Sequence, residues 1–290
     1  MTSSQQSLET SHGTVEYLDV GAGTPVLYFH GTGAGNEAAL LLEQSLLQSD
    51  CRLIILNRPG YGATTLGKRG SAKFVAGLAA DVLDHLAINR AVVIGTSGGG
   101  MSAACFARCY ANRTAALILQ CAESHRWDEG KWLPTGLERT LFLFRHSIFA
   151  PLLRWQNMRH AKASCRRPIT YLQHMSGGRF PEIRDDLYAM QQITELADMS
   201  LICAAAPSGI QNDWAVMVGD NGVTRDAITC PTLIIHDRAD PLVPFIHAEW
   251  SRSCIPESRL LEVHAGGHLI WFGKDFELMH AERVAFIRKS

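Results

Sequence analysis

Short, predominantly apolar runs, several of them rich in β-branched residues, recur along this chain of 290 residues, separated by segments that read as helices from their apolar spacing or their small residues. Pro25–Phe29, Cys51–Leu56, Ala91–Ile94, Ala115–Leu119, Thr232–Ile235 and Arg259–Val263 are runs of the first kind. Glu37–Gln48, Ser71–Leu86 and Gly99–Tyr110 are of the second. A strand that is apolar on both faces must be covered on both faces. Such strands alternating with helices predict an α/β fold, a mostly parallel sheet with helices on either side. Thr14–Val20 alternates apolar and polar residues and reads as a strand with one wet face.

The alternation stops between about Glu123 and Ala227. That stretch holds Trp127, Trp132, Trp155 and Trp214 with Phe142, Phe144 and Phe149. An aromatic, helical insertion in a regular α/β pattern reads as a lid over the ligand-bearing edge of the sheet. The expected organisation is therefore a core of residues 1–122 and 227–290 with a helical cap of residues 123–226. Gly177-Gly178 and Ser208-Gly209 are candidate hinges of that lid.

Composition excludes several classes. Lys and Arg number 27 against 28 Asp and Glu, which gives no electrostatic case for a nucleic acid or an acidic membrane as partner. Met1–Ser11 is polar and lacks the basic and apolar regions of a signal peptide. No apolar run reaches the roughly 18 residues of a membrane span, and Leu141–Leu153 is interrupted by Arg145 and His146. The eight cysteines are scattered, with no C-x-x-C pair, in a chain too large to need disulfide staples. Reduced thiols and a cytoplasmic setting are expected. Cys105 and Cys109 share a helix face, but two thiols without further ligands make a poor zinc site. Neither a metal nor another cofactor is expected, and the oligomeric state is not readable.

Gly95-Thr96-Ser97-Gly98-Gly99 fits G-x-S-x-G between an apolar strand and a helix rich in small residues. In that context the serine sits on a sharp strand-to-helix turn, and glycine at 95 and 99 avoids collisions with the neighbouring strand and helix. The turn projects the hydroxyl at the sheet edge, beside the N–H groups of a helix N-terminus. A phosphate-binding loop is the rival reading. It lacks the lysine of G-x-x-x-x-G-K-[ST] and the spacing of G-x-G-x-x-G.

With four further segments, this motif resembles the α/β-hydrolase superfamily, in its serine branch with a helical cap. His30-Gly31-Thr32-Gly33 resembles the family's H-G oxyanion loop. Asn57-Arg58-Pro59-Gly60-Tyr61-Gly62 resembles the D-x-R-G-x-G turn, with Asn57 where Asp is usual. His236-Asp237-Arg238-Ala239-Asp240-Pro241 resembles the acid turn, and Gly266-Gly267-His268 the G-x-H segment. The resemblance implies an eight-stranded sheet and a triad of Ser97, Asp240 and His268, in the order expected of this fold. It also implies an oxyanion hole of Thr32 and Gly98, with His30, Gly31, Gly95 and Gly99 supporting the loops. Asp237 and Glu123 compete for the acid role, and His264 and His30 for that of the base.

Serine at position 97 implies acyl transfer to water. The expected substrate is a small to medium, largely neutral ester or lactone. A carbon–carbon bond hydrolase, a perhydrolase and a proline aminopeptidase are alternatives on the same fold, the last calling for inward-facing cap acids. A small-molecule receptor that retains the triad is the alternative from another class.

Overall fold

A computed structural model describes residues 5–67, 70–125, 159, 166–178, 181–205, 208–218 and 227–290. Its strands are β1 (Gln6–Thr10), β2 (Gly13–Gly21), β3 (Thr24–Phe29), β4 (Cys51–Leu56), β5 (Ala91–Thr96), β6 (Thr114–Gln120), β7 (Thr232–Asp237) and β8 (Ser258–Val263). Among the described residues they form one eight-stranded sheet in the order β1-β2-β4-β3-β5-β6-β7-β8. β1 and β2 run antiparallel to their neighbours, and β3 to β8 are parallel.

The apolar runs are the central strands, and side-chain parity divides each between two cores. Leu27 and Phe29 of β3 and Val93 of β5 face α3 (Ala72–His85) and α4 (Gly99–Cys109). Val26, Tyr28, Val92 and Ile94 face the other layer, with Leu46, Met279 and Ile287. That layer comprises α1 (Gly35–Leu42), α2 (Gln44–Leu47) and, far along the chain, Phe276–Arg288. Each buried aliphatic side chain contributes about 1.5–3 kcal/mol. That gain holds strands with no polar face in the middle of a three-layer stack.

Two details depart from the sequence reading. Residues 6–10 form an edge strand of alternating exposure in a segment read only as a polar terminus. The helix expected over Glu37–Gln48 is two helices, broken at Glu43, whose backbone (φ −105°, ψ 16°) leaves the helical region. The break turns the Glu43 carboxylate into the core.

Between β6 and β7 the described elements are all helical: α5 (Pro168–Ser176), α6 (Pro181–Asp185), α7 (Leu187–Ala205) and α8 (Ser208–Val218). A third apolar cluster joins Tyr171, Leu172, Ile193 and Leu196 of these helices to Ala38 of α1 and Leu269. The inserted helices therefore sit over the ends of the strands that carry the glycine-rich turns. Trp127, Trp132, Phe142, Phe144, Phe149, Trp155 and the run Leu141–Leu153 lie outside the described residues. The remaining helices are α9 (Ile246–Cys254) and α10 (Phe276–Arg288). No described helix is long and apolar enough to cross a membrane.

Candidate active site

Ser97 follows directly on β5 with φ 50°, a left-handed conformation that costs a residue with a Cβ about 1–3 kcal/mol. Neighbouring backbone holds it there. Its N–H donates to Gln120 O at 3.0 Å, and its carbonyl accepts from Gly100 N–H (2.9 Å) and Glu123 N–H (3.0 Å). Nothing bulkier than glycine fits on either side. A Cβ on Gly95 would lie 2.5 Å from Ala103 Cβ, and one on Gly99 would strike Phe29 O.

A fully buried polar network lies beneath this turn. Glu43 Oε1 accepts from Tyr28 OH (3.1 Å), Gln120 Nε2 (2.9 Å) and Trp271 Nε1 (3.0 Å). Gln120 Nε2 also donates to Thr96 Oγ1 at 3.1 Å, and the Thr96 and Tyr28 hydroxyls are 2.6 Å apart. Arg283 NH1 donates to Gln120 Oε1 at 2.7 Å and lies 2.7 Å from Glu43 Oε2. That oxygen has no directed hydrogen bond among the described residues, so its attraction to Arg283 is Coulombic. The network thus ties the residue before Ser97 to Trp271, three residues past His268. Sequence reasoning named neither Glu43 nor Arg283. Their separation along the chain leaves no local pattern to read.

Two adjacent loops bring the acid and imidazole candidates together. His268 Nδ1 is 2.7 Å from Asp240 Oδ2, with both side chains buried. Asp240 Oδ1 accepts from Leu242 N–H (2.8 Å) and Val243 N–H (2.9 Å), so the carboxylate is fully engaged. The His268 N–H donates to Met175 O of α5, which pins the imidazole loop to the inserted helices.

The rivals fall into other places. Asp237 is buried and clamps loops, accepting from Ala239, Ala265 and Gly267 N–H at 2.7, 2.8 and 3.2 Å. Arg238 pairs with Glu262 instead of Asp237. His264 is exposed. Glu123 is buried near Arg58, whose charge it helps to stabilise. His30 is enclosed, and burial, with Arg58 beside it, pushes its pKa well below the usual range. Its Nε2 accepts from Arg58 N–H at 3.0 Å, and its Nδ1 lies 2.8 Å from Gly31 O and 3.3 Å from Gly35 N. His30 is therefore a neutral brace between two loops.

The Gly31–Gly33 loop passes directly over Ser97. A Cβ on Gly31 would lie 3.2 Å from Ser97 Cβ, and one on Gly98 would strike Thr32 Oγ1. Thr32 Oγ1 is buried and has no hydrogen-bond partner among the described residues. Thr32 and Gly98 are thus neighbours beside the serine, the arrangement needed if both amides are to converge on one oxygen.

Cys121, Asp240 and His268 place potential ligand atoms within 4.8 Å of one another. The thiol donates to His268 O at 3.4 Å, and burial, with Asp240 nearby, raises its pKa well above the ordinary value.

Known proteins share this architecture. The chain is 30% identical over 276 residues to the uncharacterized hydrolase YcgS of Bacillus subtilis, covering 91% of each chain. It is 27% identical over 267 residues to the poly(3-hydroxyalkanoate) depolymerase of Ectopseudomonas oleovorans, covering 90% of this chain and 82% of that one. An alpha/beta hydrolase fold protein from Nakamurella multipartita superimposes with a TM-score of 0.79 at 28% identity, covering 98% of this chain and 99% of that one. The profile of the alpha/beta hydrolase fold matches residues 24–275, and with the eight-stranded sheet and its glycine-flanked serine turn this chain belongs to that family.

Proposed function

We propose that this protein is a serine hydrolase that cleaves a small to medium, largely neutral ester or lactone through an acyl-enzyme. In this reading residues 1–122 and 227–290 are the catalytic core and residues 123–226 the cap. One observation carries the reading: a strained Ser97 stands at the end of β5 while a buried His268–Asp240 pair, 2.7 Å apart, ends the loops after β8 and β7.

Ser97 Oγ attacks the substrate carbonyl carbon as its proton passes to His268 Nε2. Asp240 holds the Nδ1 proton and stabilises the imidazolium that forms. The Gly98 and Thr32 amides bind the oxyanion. Collapse of the tetrahedral species expels the alcohol, which takes the proton from His268, and water then releases the acid by the same steps. No step draws on a metal or other cofactor.

Preference for a neutral substrate is supported by the charge balance beside Gly98. The Arg58 guanidinium there is matched by Asp213 at 2.6 Å, leaving its charge compensated. The described cysteines are free thiols, which agrees with a reducing, cytoplasmic setting.

The test is hydrolysis of p-nitrophenyl acetate, butyrate and octanoate by the wild type and by Ser97→Ala. The expected result is turnover by the wild type and background for the variant, with chain-length preference sizing the pocket. Equal slow rates in both would remove Ser97 from the nucleophile role and favour a receptor that retains the fold.

A further inference from the structure

Helix α8 belongs to the inserted segment, yet its described contacts tie it closely to the core. Ser208 Oγ donates to Gly60 O at 2.9 Å, and Asn212 Nδ2 to Gly70 O at 2.9 Å. A Cβ on Gly209 would enter the Tyr61 ring, and one on Gly60 would lie 2.7 Å from Gly209 N. Ser208-Gly209, read from the sequence as a hinge, is a packed contact.

Asp213 of α8 completes the contact. Its two oxygens take Arg58 NH1 and NH2 at 2.6 and 2.7 Å, and Oδ2 also accepts from Tyr61 OH at 2.7 Å. The Tyr61 oxygen in turn accepts from Gly33 N–H at 2.8 Å. One directed chain of hydrogen bonds therefore runs from the Gly31–Gly33 loop, through a phenol, to a carboxylate of the inserted helix. All three side chains are buried. Burial and the Asp213 charge hold the Tyr61 phenol protonated, its pKa well above the ordinary value.

Stability alone is a poor account of this arrangement. A buried Arg–carboxylate pair sits near break-even against apolar packing of the same shape, because desolvation offsets the attraction. What the pair supplies is direction. Gly33 N–H is the amide next to Thr32, whose own N–H must stay free to meet a substrate oxygen. Anchoring position 33 fixes the peptide plane that follows Thr32, and His30 fixes the loop from its other side. Without the anchor the turn keeps the longer Ala34 N–H to Gly31 O bond (3.4 Å), and the Gly33 peptide can tilt, carrying Thr32 with it.

We propose that Asp213 is a positioning residue for the oxyanion loop, acting on Gly33 through the Tyr61 hydroxyl. The catalytic part of this proposal rests on the hydrolase reading above; the structural part does not. On this view α8 is a fixed wall of the site, and the inserted segment takes part in turnover as well as in substrate selection.

The experiment uses Tyr61→Phe and Asp213→Asn with two readouts: steady-state kinetics on p-nitrophenyl butyrate, and amide hydrogen exchange of the peptide spanning residues 30–36. Tyr61→Phe removes only the bridge and leaves the Arg58–Asp213 pair in place, so it decides the matter even if Asp213→Asn fails to fold. The expected result is faster exchange in 30–36 and a kcat lower by about 10²-fold at nearly unchanged KM, the size typical of an ångström-scale misplacement. Wild-type kcat with wild-type exchange in Tyr61→Phe, even at a lowered melting temperature, would overturn the proposal and leave Asp213 a tether. If the wild type hydrolyses no ester and Ser97 resists a fluorophosphonate label, the hydrolase reading fails. The exchange of residues 30–36 then still decides the positioning role.

Discussion

Replacing Glu43 by Leu tests what the buried network under Ser97 is worth. Glu43 and Arg283 are both 0% exposed, with Arg283 NH1 2.7 Å from Glu43 Oε2. Removing the carboxylate leaves a guanidinium buried with Gln120 Oε1 as its nearest acceptor, and also frees donors on Tyr28 and Trp271. Breaking a buried pair from one side costs about 3–5 kcal/mol, chiefly from the uncompensated charge. A chain of this length unfolds with an entropy of about 0.6 kcal/mol/K, so the melting temperature should fall by about 5–8 °C. Arg283→Met should cost a similar amount. The double variant Glu43→Leu/Arg283→Met removes both charges and fills the space with apolar atoms. Its loss should fall short of the summed single losses by about 2 kcal/mol or more. The assay is urea unfolding at pH 7 of the wild type and the three variants, followed by circular dichroism. Strict additivity, or a cost below about 1 kcal/mol for Glu43→Leu, would refute the premise that the pair is held as compensated charge.

Two more perturbations probe the site. Gly98→Ala places a methyl against Thr32 Oγ1 and should lower kcat by about 10²–10³-fold, the cost of a misdirected oxyanion donor. Adding Thr32→Ala should restore part of that loss in the same ester assay, whereas no recovery would mean that the two residues do not share the space. Stability should decline in acid through His30 and His236, whose pKa values burial lowers from 6.5. The unfolded chain takes up these protons first, so the contribution is complete above about pH 6.5 and is lost as pH falls below it. Each histidine adds about 1.4 kcal/mol per pH unit to that slope, and urea unfolding at pH 7, 6 and 5 with and without His236→Asn measures it. An unchanged slope in the variant would rule His236 out.

The sheet was legible because its central strands are buried on both faces and so carry few polar residues, mostly at their ends, to blur the pattern. The edge strand Gln6–Thr10 was not, since half of it faces water and its composition matches a loop. The elbow, the acid turn and the Gly-Gly-His segment were readable as compact motifs. Asp240 and His268 were placed by those motifs, and the structure brings them into contact. The support beneath them was not readable. Glu43 meets Trp271 across 228 residues and Arg283 meets Gln120 across 163, and such separations leave no periodicity. Asp213 was one acid among several in the inserted segment. Of those described, Asp185, Asp186 and Asp198 are exposed and Asp213 is buried, a difference fixed by the docking of α8 rather than by local sequence.

The strained backbone at Ser97 has an evolutionary consequence. Glycine adopts φ 50° freely, so Ser97→Gly relieves about 1–2 kcal/mol of steric opposition and returns about 0.5–1 kcal/mol of that as chain entropy. The variant should melt slightly above the wild type while losing every function of the hydroxyl. A population screened for heat tolerance alone would therefore drift toward glycine at this position. On the proposed hydrolase reading serine persists there under a selection that reads chemistry, so its retention in a thermally selected library would report that the activity itself was under test.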